Sequence, residues 1–145
     1  MVDLHVERTI AAPADRVFDW LADPKSLTAA PLVFTARYAK GASGPAAGSV
    51  RVVTGAGTWF EEEYTAYDRP RSYSYLILRS IPGFIHQGGT LTFTPRGDGT
   101  HVDWNTRYTH PVWSGGKAFE PVSLRLLRWS FLSVLRGCAN ALETP

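Results

Sequence analysis

The run from Phe119 to Leu142, FEPVSLRLLRWSFLSVLRGCANAL, limits the possible folds more than any other stretch. Its hydrophobic spacing predicts a helix, and its one glycine, Gly137, lies near the far end. At about 1.5 Å per residue that helix is roughly 36 Å long, enough to cross a small domain. Arg125, Arg128 and Arg136 fall on one side with Leu132 between them; the other side carries Ser123, Leu126, Leu127, Ser130, Val134, Cys138 and Ala141. The apolar side has to be covered. Everything ahead of it reads as strand or short helix, so the expected partner is a curved sheet.

The alternation of Val2, Leu4 and Val6 with Asp3, His5 and Glu7 predicts a strand over 2–10. Ala11-Ala12-Pro13 ends it. Pro13 suits a helix start, Asp15 lies in the first turn, and Val17, Phe18 and Leu21 form an apolar face; Asp23-Pro24 should stop the helix. A second short turn, Pro24 to Ala29, follows. From Leu32 the pattern turns to strands: 32–38, with Leu32, Phe34, Ala36 and Tyr38 in alternation, then 49–54, 58–67, 72–79, 87–95 and 100–110. Lys40 to Gly48, rich in Gly, Ala, Ser and Pro, is expected to be a mobile hairpin connection. Ile81 to Phe84 reads as a short apolar loop, and Gly97-Asp98-Gly99 as a tight hairpin turn. The order is one strand, two small helices, six strands and a long helix. Short turns between strands imply an antiparallel meander. One helix cannot fill the hollow of a strongly curved sheet of about seven strands, so a cavity between them is expected.

Composition narrows the function classes. A net charge of +2 with scattered Lys and Arg argues against a nucleic-acid partner. The single cysteine, Cys138, rules out an internal disulfide and is compatible with a reducing cytoplasm. No signal peptide is visible, and no run approaches the ~18 apolar residues of a membrane span. A cytoplasmic protein, monomeric or homodimeric, is the expectation. Aromatic residues reach 12%, with five Trp, enough to line a pocket as well as fill a core.

Three pieces of local text, VERTIAAPADRVFDWLADP (6–24), YTAYDRPRSYSY (64–75) and GDGTHVDWNTRY (97–108), precede the long C-terminal helix. Together they resemble the START-like helix-grip superfamily (SRPBCC), in particular its polyketide cyclase/dehydrase-like branch. The likeness spans essentially the whole chain, 1–145, as one domain. It implies an α+β helix-grip fold whose sheet and helix enclose a pocket for apolar or aromatic molecules. Some members are cyclases, dehydratases or hydrolases, and many only bind or carry a ligand. The superfamily shares no invariant catalytic motif, so none is transferred to a residue here.

On the strand faces, Phe60, Glu62 and Tyr64 should point inward together, as should Tyr73 with Tyr75, Leu91 with Phe93, and Trp104 with Tyr108. Apart from Phe93, these residues make up the expected ligand cavity, with Gln87 from the sheet and Leu126, Ser130 and Val134 from the helix. Several tyrosines in one cavity would orient a phenolic or polyketide ligand; packing the core while bonding one another is the plainer alternative. Glu62 is the candidate proton acceptor because it lies between two aromatics on an inward face, the alternative being an edge-strand carboxylate that reaches water or pairs with an Arg. His5 and His101 fall on outer faces, while His86 and His110 lie at strand ends where a pocket mouth would be. No histidine pair shows HxxxH or HxH spacing, so neither a metal nor another cofactor is expected. Two functions follow, a binding protein for a small hydrophobic or aromatic molecule and a cyclase or dehydratase using the same cavity. A partner-binding module built on Trp59 or Trp113 is the third.

Overall fold

The computed structural model describes residues 1–39, 44–83 and 85–143. Strand β1 (Val2–Ile10) leads into helix α1 (Ala14–Ala22) and a 3-10 turn (Pro24–Ala29). Strands β2 (Val33–Tyr38), β3 (Val50–Gly55), β4 (Thr58–Asp68), β5 (Ser72–Ile81), β6 (Ile85–Arg96) and β7 (Gly99–Thr109) follow. A 3-10 turn (Val112–Ser114) then enters helix α2 (Gly116–Leu142). The seven strands form one curled antiparallel sheet in the order β1-β7-β6-β5-β4-β3-β2, so the meander is closed off by β1 pairing with the last strand. This is the expected helix-grip, α+β architecture. Part of the Lys40 to Gly48 connection, 40–43, and residue 84 of the apolar loop lie outside the described residues.

Helix α1 has the length and polarity its sequence dictates. Val17, Phe18, Leu21 and Ala22 are buried, Asp15 sits in the first turn, and the chain leaves the helix at Asp23, whose carboxylate accepts the Lys25 amide at 3.0 Å. The last carbonyls of a helix have no partner within it. Here the Tyr64 hydroxyl donates to the Ala22 carbonyl at 2.6 Å and the Tyr73 hydroxyl to the Leu21 carbonyl at 3.0 Å. The sheet therefore caps the helix. Phe18 packs edge-on against Tyr67 and Tyr73, with centroids 5.2 and 5.6 Å away, so α1 fills one half of the hollow.

Helix α2 begins three residues before the expected Phe119. Gly115 and Gly116, at φ of 101° and 56°, make the sharp entry that a side-chain-bearing residue would resist. Pro121 falls in its second turn, where it removes one amide from the hydrogen-bond ladder. The buried side of α2 is also not quite the expected one. Ser123, Val134 and Cys138 are buried as the spacing predicts, but Leu135 and Ala139 are buried as well, whereas Ala141 is exposed. The covered stripe thus widens toward the C-terminal end, where α2 meets β1, α1 and the first 3-10 turn. Near its middle the covered stripe narrows, leaving Leu126 and Trp129 43% and 48% exposed.

Register shifts interrupt simple alternation in several pairings, and two of them move side chains that alternation would place inward. A register shift between Val33 and Thr35 turns Phe34 out to solvent. A second shift, between His86 and Gly88, makes Gln87 the extra residue of a β-bulge.

Candidate functional site

The space left under the middle of α2 is a cavity of about 160 Å³. Its walls come from Leu27 of the 3-10 turn and Ala30 just after it, from β2 to β7, and from Leu126, Leu127, Ser130, Phe131 and Val134 of α2. Most of the wall is hydrocarbon. The Trp104 and Phe131 rings stack at 3.8 Å with an 8° interplanar angle, tying the helix to the sheet across it.

Of the residues expected to face the cavity, Phe60, Glu62, Tyr75, Trp104, Tyr108, Leu126, Ser130 and Val134 do line it. Four do not. Tyr64 and Tyr73 point inward but lie in the half already filled by α1, where their hydroxyls serve its carbonyls. Leu91, paired with Tyr73 across β5 and β6, is wholly buried in the same packed region. Gln87 is a correction: the bulge that contains it sends its side chain to the convex face, where it borders a polar groove. Trp113 is 76% exposed, while Trp59 is half-buried beneath the Arg79 guanidinium, 5.8 Å from its ring.

The chief polar feature of the cavity wall is a residue that strand alternation alone does not single out. Arg51 is 2% exposed and donates from Nε to Glu62 Oε1 at 2.5 Å. Its Nη1 donates to the Tyr64 hydroxyl at 3.3 Å, and its guanidinium lies 5.1 and 5.2 Å from the Tyr64 and Tyr75 ring centres. Burial alone would lower the Arg51 pKa, but the Glu62 carboxylate beside it holds it well above the usual value. Glu62 therefore sits as half of an ion pair, the plainer of the two readings given to it. The pair is readable from register. The two-residue turn Ala56-Gly57 sets Gly55 opposite Thr58, and counting back sets Arg51 opposite Glu62.

A second polar group closes the seam between β5 and β6. These strands pair only from Ser72 to Tyr75 among the described residues; further along, the His86 ring takes the place of a backbone partner. His86 Nδ1 accepts the Ile77 amide at 3.0 Å, so the ring proton is on Nε2, which donates to Thr106 Oγ1 at 2.7 Å. Burial pushes the His86 pKa down to about 4. Tyr75 stacks on this ring at 5.5 Å, and its hydroxyl accepts Trp104 Nε1 at 2.9 Å. Burial pushes the Tyr75 pKa up to about 12, which keeps it a neutral donor. Gly89, opposite Tyr75, is required here because a Cβ would collide with the tyrosine ring.

At the other end of the wall, Tyr108, Ser123 and His110 form a chain. The Tyr108 hydroxyl is 2.8 Å from Ser123 Oγ, which is 2.9 Å from His110 Nε2. His110 Nδ1 lies 3.2 Å from Ser114 Oγ, and Ser114 in turn donates to the Gly83 carbonyl. One proton arrangement satisfies every link: Tyr108 to Ser123, Ser123 to His110 Nε2, and His110 Nδ1 to Ser114. Burial lowers the His110 pKa, keeping the ring neutral as that arrangement needs. No buried side-chain nitrogen or oxygen among the described residues lacks a hydrogen-bond partner.

A sequence profile described as "Polyketide cyclase / dehydrase and lipid transport" matches residues 1–144. No curated protein matches the chain in sequence. Among solved structures, the Thermus thermophilus protein TTHA0849 is 21% identical with a TM-score of 0.76, covering 96% of this chain and 95% of its own. A Nitrosospira multiformis protein is 19% identical with a TM-score of 0.74 (97% and 96% covered). The Panax ginseng major latex-like protein 151 is 14% identical with a TM-score of 0.73 (99% and 98% covered). At these identities the structures attest the fold.

Two outcomes test the wall. Arg51→Met strands the Glu62 carboxylate and should cost about 3–5 kcal/mol in urea unfolding, whereas Arg51→Met with Glu62→Leu should recover most of that loss. His86 should give an acid-sensitive limb. Its pKa is lowered on folding, from 6.5 to about 4, so the unfolded chain takes the proton first and stability falls as pH drops through that window. The loss should be on the order of 2–3 kcal/mol and should flatten in His86→Gln, measured by unfolding at a series of pH values.

Proposed function

Since the chain belongs to the polyketide cyclase/dehydrase and lipid transport family, we propose that its cavity binds a small hydrophobic or aromatic molecule bearing one polar group. The observation that carries this reading is the composition of the wall, a hydrocarbon surface interrupted by Arg51–Glu62, His86 and Tyr108. Pockets of this kind take their affinity from apolar burial and their orientation from a few fixed polar groups. The volume sets the size class. About 160 Å³ is close to the space that holds a benzene ring, so a single-ring phenolic compound fits without displacing the helix. A lipid chain or a long polyketide would need α2 to lift at its N-terminal half.

A second reading, acid-base chemistry on a polyketide-like substrate, is favoured by the Tyr108–Ser123–His110 chain. Tyr108 touches the cavity and the relay behind it ends on the lone pair of a neutral imidazole, so a proton taken from substrate at the Tyr108 oxygen can be matched by passing the Tyr108 proton to Ser123 and the Ser123 proton to His110 Nε2. In this reading the proton path runs through Tyr108, and Glu62 keeps its pairing role. Tyr108→Phe and Ser123→Ala would then both abolish turnover of a poly-keto substrate while leaving its affinity nearly unchanged; equal turnover in either variant would sink the enzyme reading.

Binding itself is tested by native mass spectrometry of the protein purified from its source cells, and by titrating p-cresol against Trp fluorescence. A co-purified mass or saturable quenching is expected. Ser130→Phe should fill the cavity and weaken p-cresol binding by at least about tenfold, with far-UV circular dichroism unchanged.

A further inference from the structure

The convex side of the β1–β7 pair carries a cluster that the cavity does not use. His5, Glu7 and Asp103 bring ligand-type atoms within 4.8 Å of one another. His5 Nε2 is 2.9 Å from Asp103 Oδ1 and 3.4 Å from Glu7 Oε2. His101 stands beside them, with Nε2 3.2 Å from Glu7 Oε1 and 3.8 Å from Asp103 Oδ1. Three side chains, one imidazole and two carboxylates, converge from two strands, and His101 borders them.

The register explains why. Each strand presents alternate residues on its outer face, so His5-x-Glu7 and His101-x-Asp103 both point outward. In the antiparallel pairing Glu7 lies directly opposite Asp103, and Thr9 directly opposite His101. Like charges placed directly opposite across a sheet are unfavourable, so the Glu7–Asp103 pair calls for a cation between them.

His5 supplies the nitrogen donor, its Nε2 near both carboxylates. Donor atoms about 2.1 Å from a tetrahedral zinc ion are about 3.4 Å apart. The two nitrogen–oxygen separations of His5, 2.9 and 3.4 Å, are close to that figure. His101 lies outside this set, its Nδ1 2.8 Å from Thr9 Oγ1 and its Nε2 3.2 Å from Glu7 Oε1.

We propose that His5, Glu7 and Asp103 form a surface site for a divalent transition-metal ion of the zinc type, the remaining position being open to water. Mixed nitrogen and oxygen donors favour such an ion over magnesium, which prefers oxygen ligands. The two carboxylates balance its charge. The ion would clasp β1, an edge strand, to β7 and hold the first residues of the chain to the last strand of the sheet.

The experiment is calorimetric titration of chelator-treated protein with zinc chloride near neutral pH, with equilibrium dialysis and metal analysis to fix stoichiometry. One zinc ion per chain is expected, with binding weakened at least about tenfold in His5→Ala and in Asp103→Asn. An excess of magnesium should not displace it. Circular dichroism checks that each variant is folded, and Glu7→Gln stands in for any that is not. Substoichiometric zinc in the wild-type protein, binding unchanged in the folded variants, or displacement by magnesium would each overturn the assignment.

Discussion

The structure depends on burying the C-terminal end of α2. Val134, Leu135, Cys138 and Ala139 are almost fully covered, and a well-packed stripe of this kind fixes the axis of the whole helix. With α1 occupying one half of the concave sheet, the axis of α2 cannot also lie close to the other half. A hollow is the geometric residue of those two packings. The small Ser130 and the larger Leu127 and Phe131 determine its shape, and the stacked Trp104–Phe131 pair sets its depth.

What remains polar in that hollow is held in place by neighbours rather than by water. Arg51 is balanced by Glu62, His86 by a backbone amide and a threonine, and Tyr75 by an indole. A buried charge pair of this sort adds little net stability compared with well-packed hydrocarbon. Its retention in an otherwise greasy wall is the kind of cost that goes with recognition. The tyrosines divide along the same line. Those under α1 are structural because a helix end needs donors, and those under α2 face open space because no helix end lies above them.

Much of the fold is legible from local pattern. Strand order, the two small helices and the inward faces of β4, β5 and β7 follow from period-two alternation and from Gly- and Pro-marked turns. What pattern does not supply is anything that depends on two strands at once. A charged residue in an alternating strand reads as outward, so Arg51 escapes notice, and only its register with Glu62 explains its burial. Gln87 falls in the cavity only if simple alternation is carried through a bulge that the sequence does not announce. Tyr64 and Tyr73 read as ligand contacts because the position of α1 above them is a tertiary fact. The histidine and carboxylate cluster on β1 and β7 is hidden for a related reason: its ligand spacing runs across the ladder, and a search along the chain for HxxxH or HxH does not see it.

The uneven seating of α2 has a mechanical side. Packed at residues 134–139 and held again at buried Ser123, the helix is a beam supported on both sides of the cavity. From Val134 to Ser123 the span between those supports is roughly 16 Å at about 1.5 Å per residue. A rigid span of that kind carries a small shift near Leu135 and Cys138 to the far support, where Ser123 meets Tyr108 and His110.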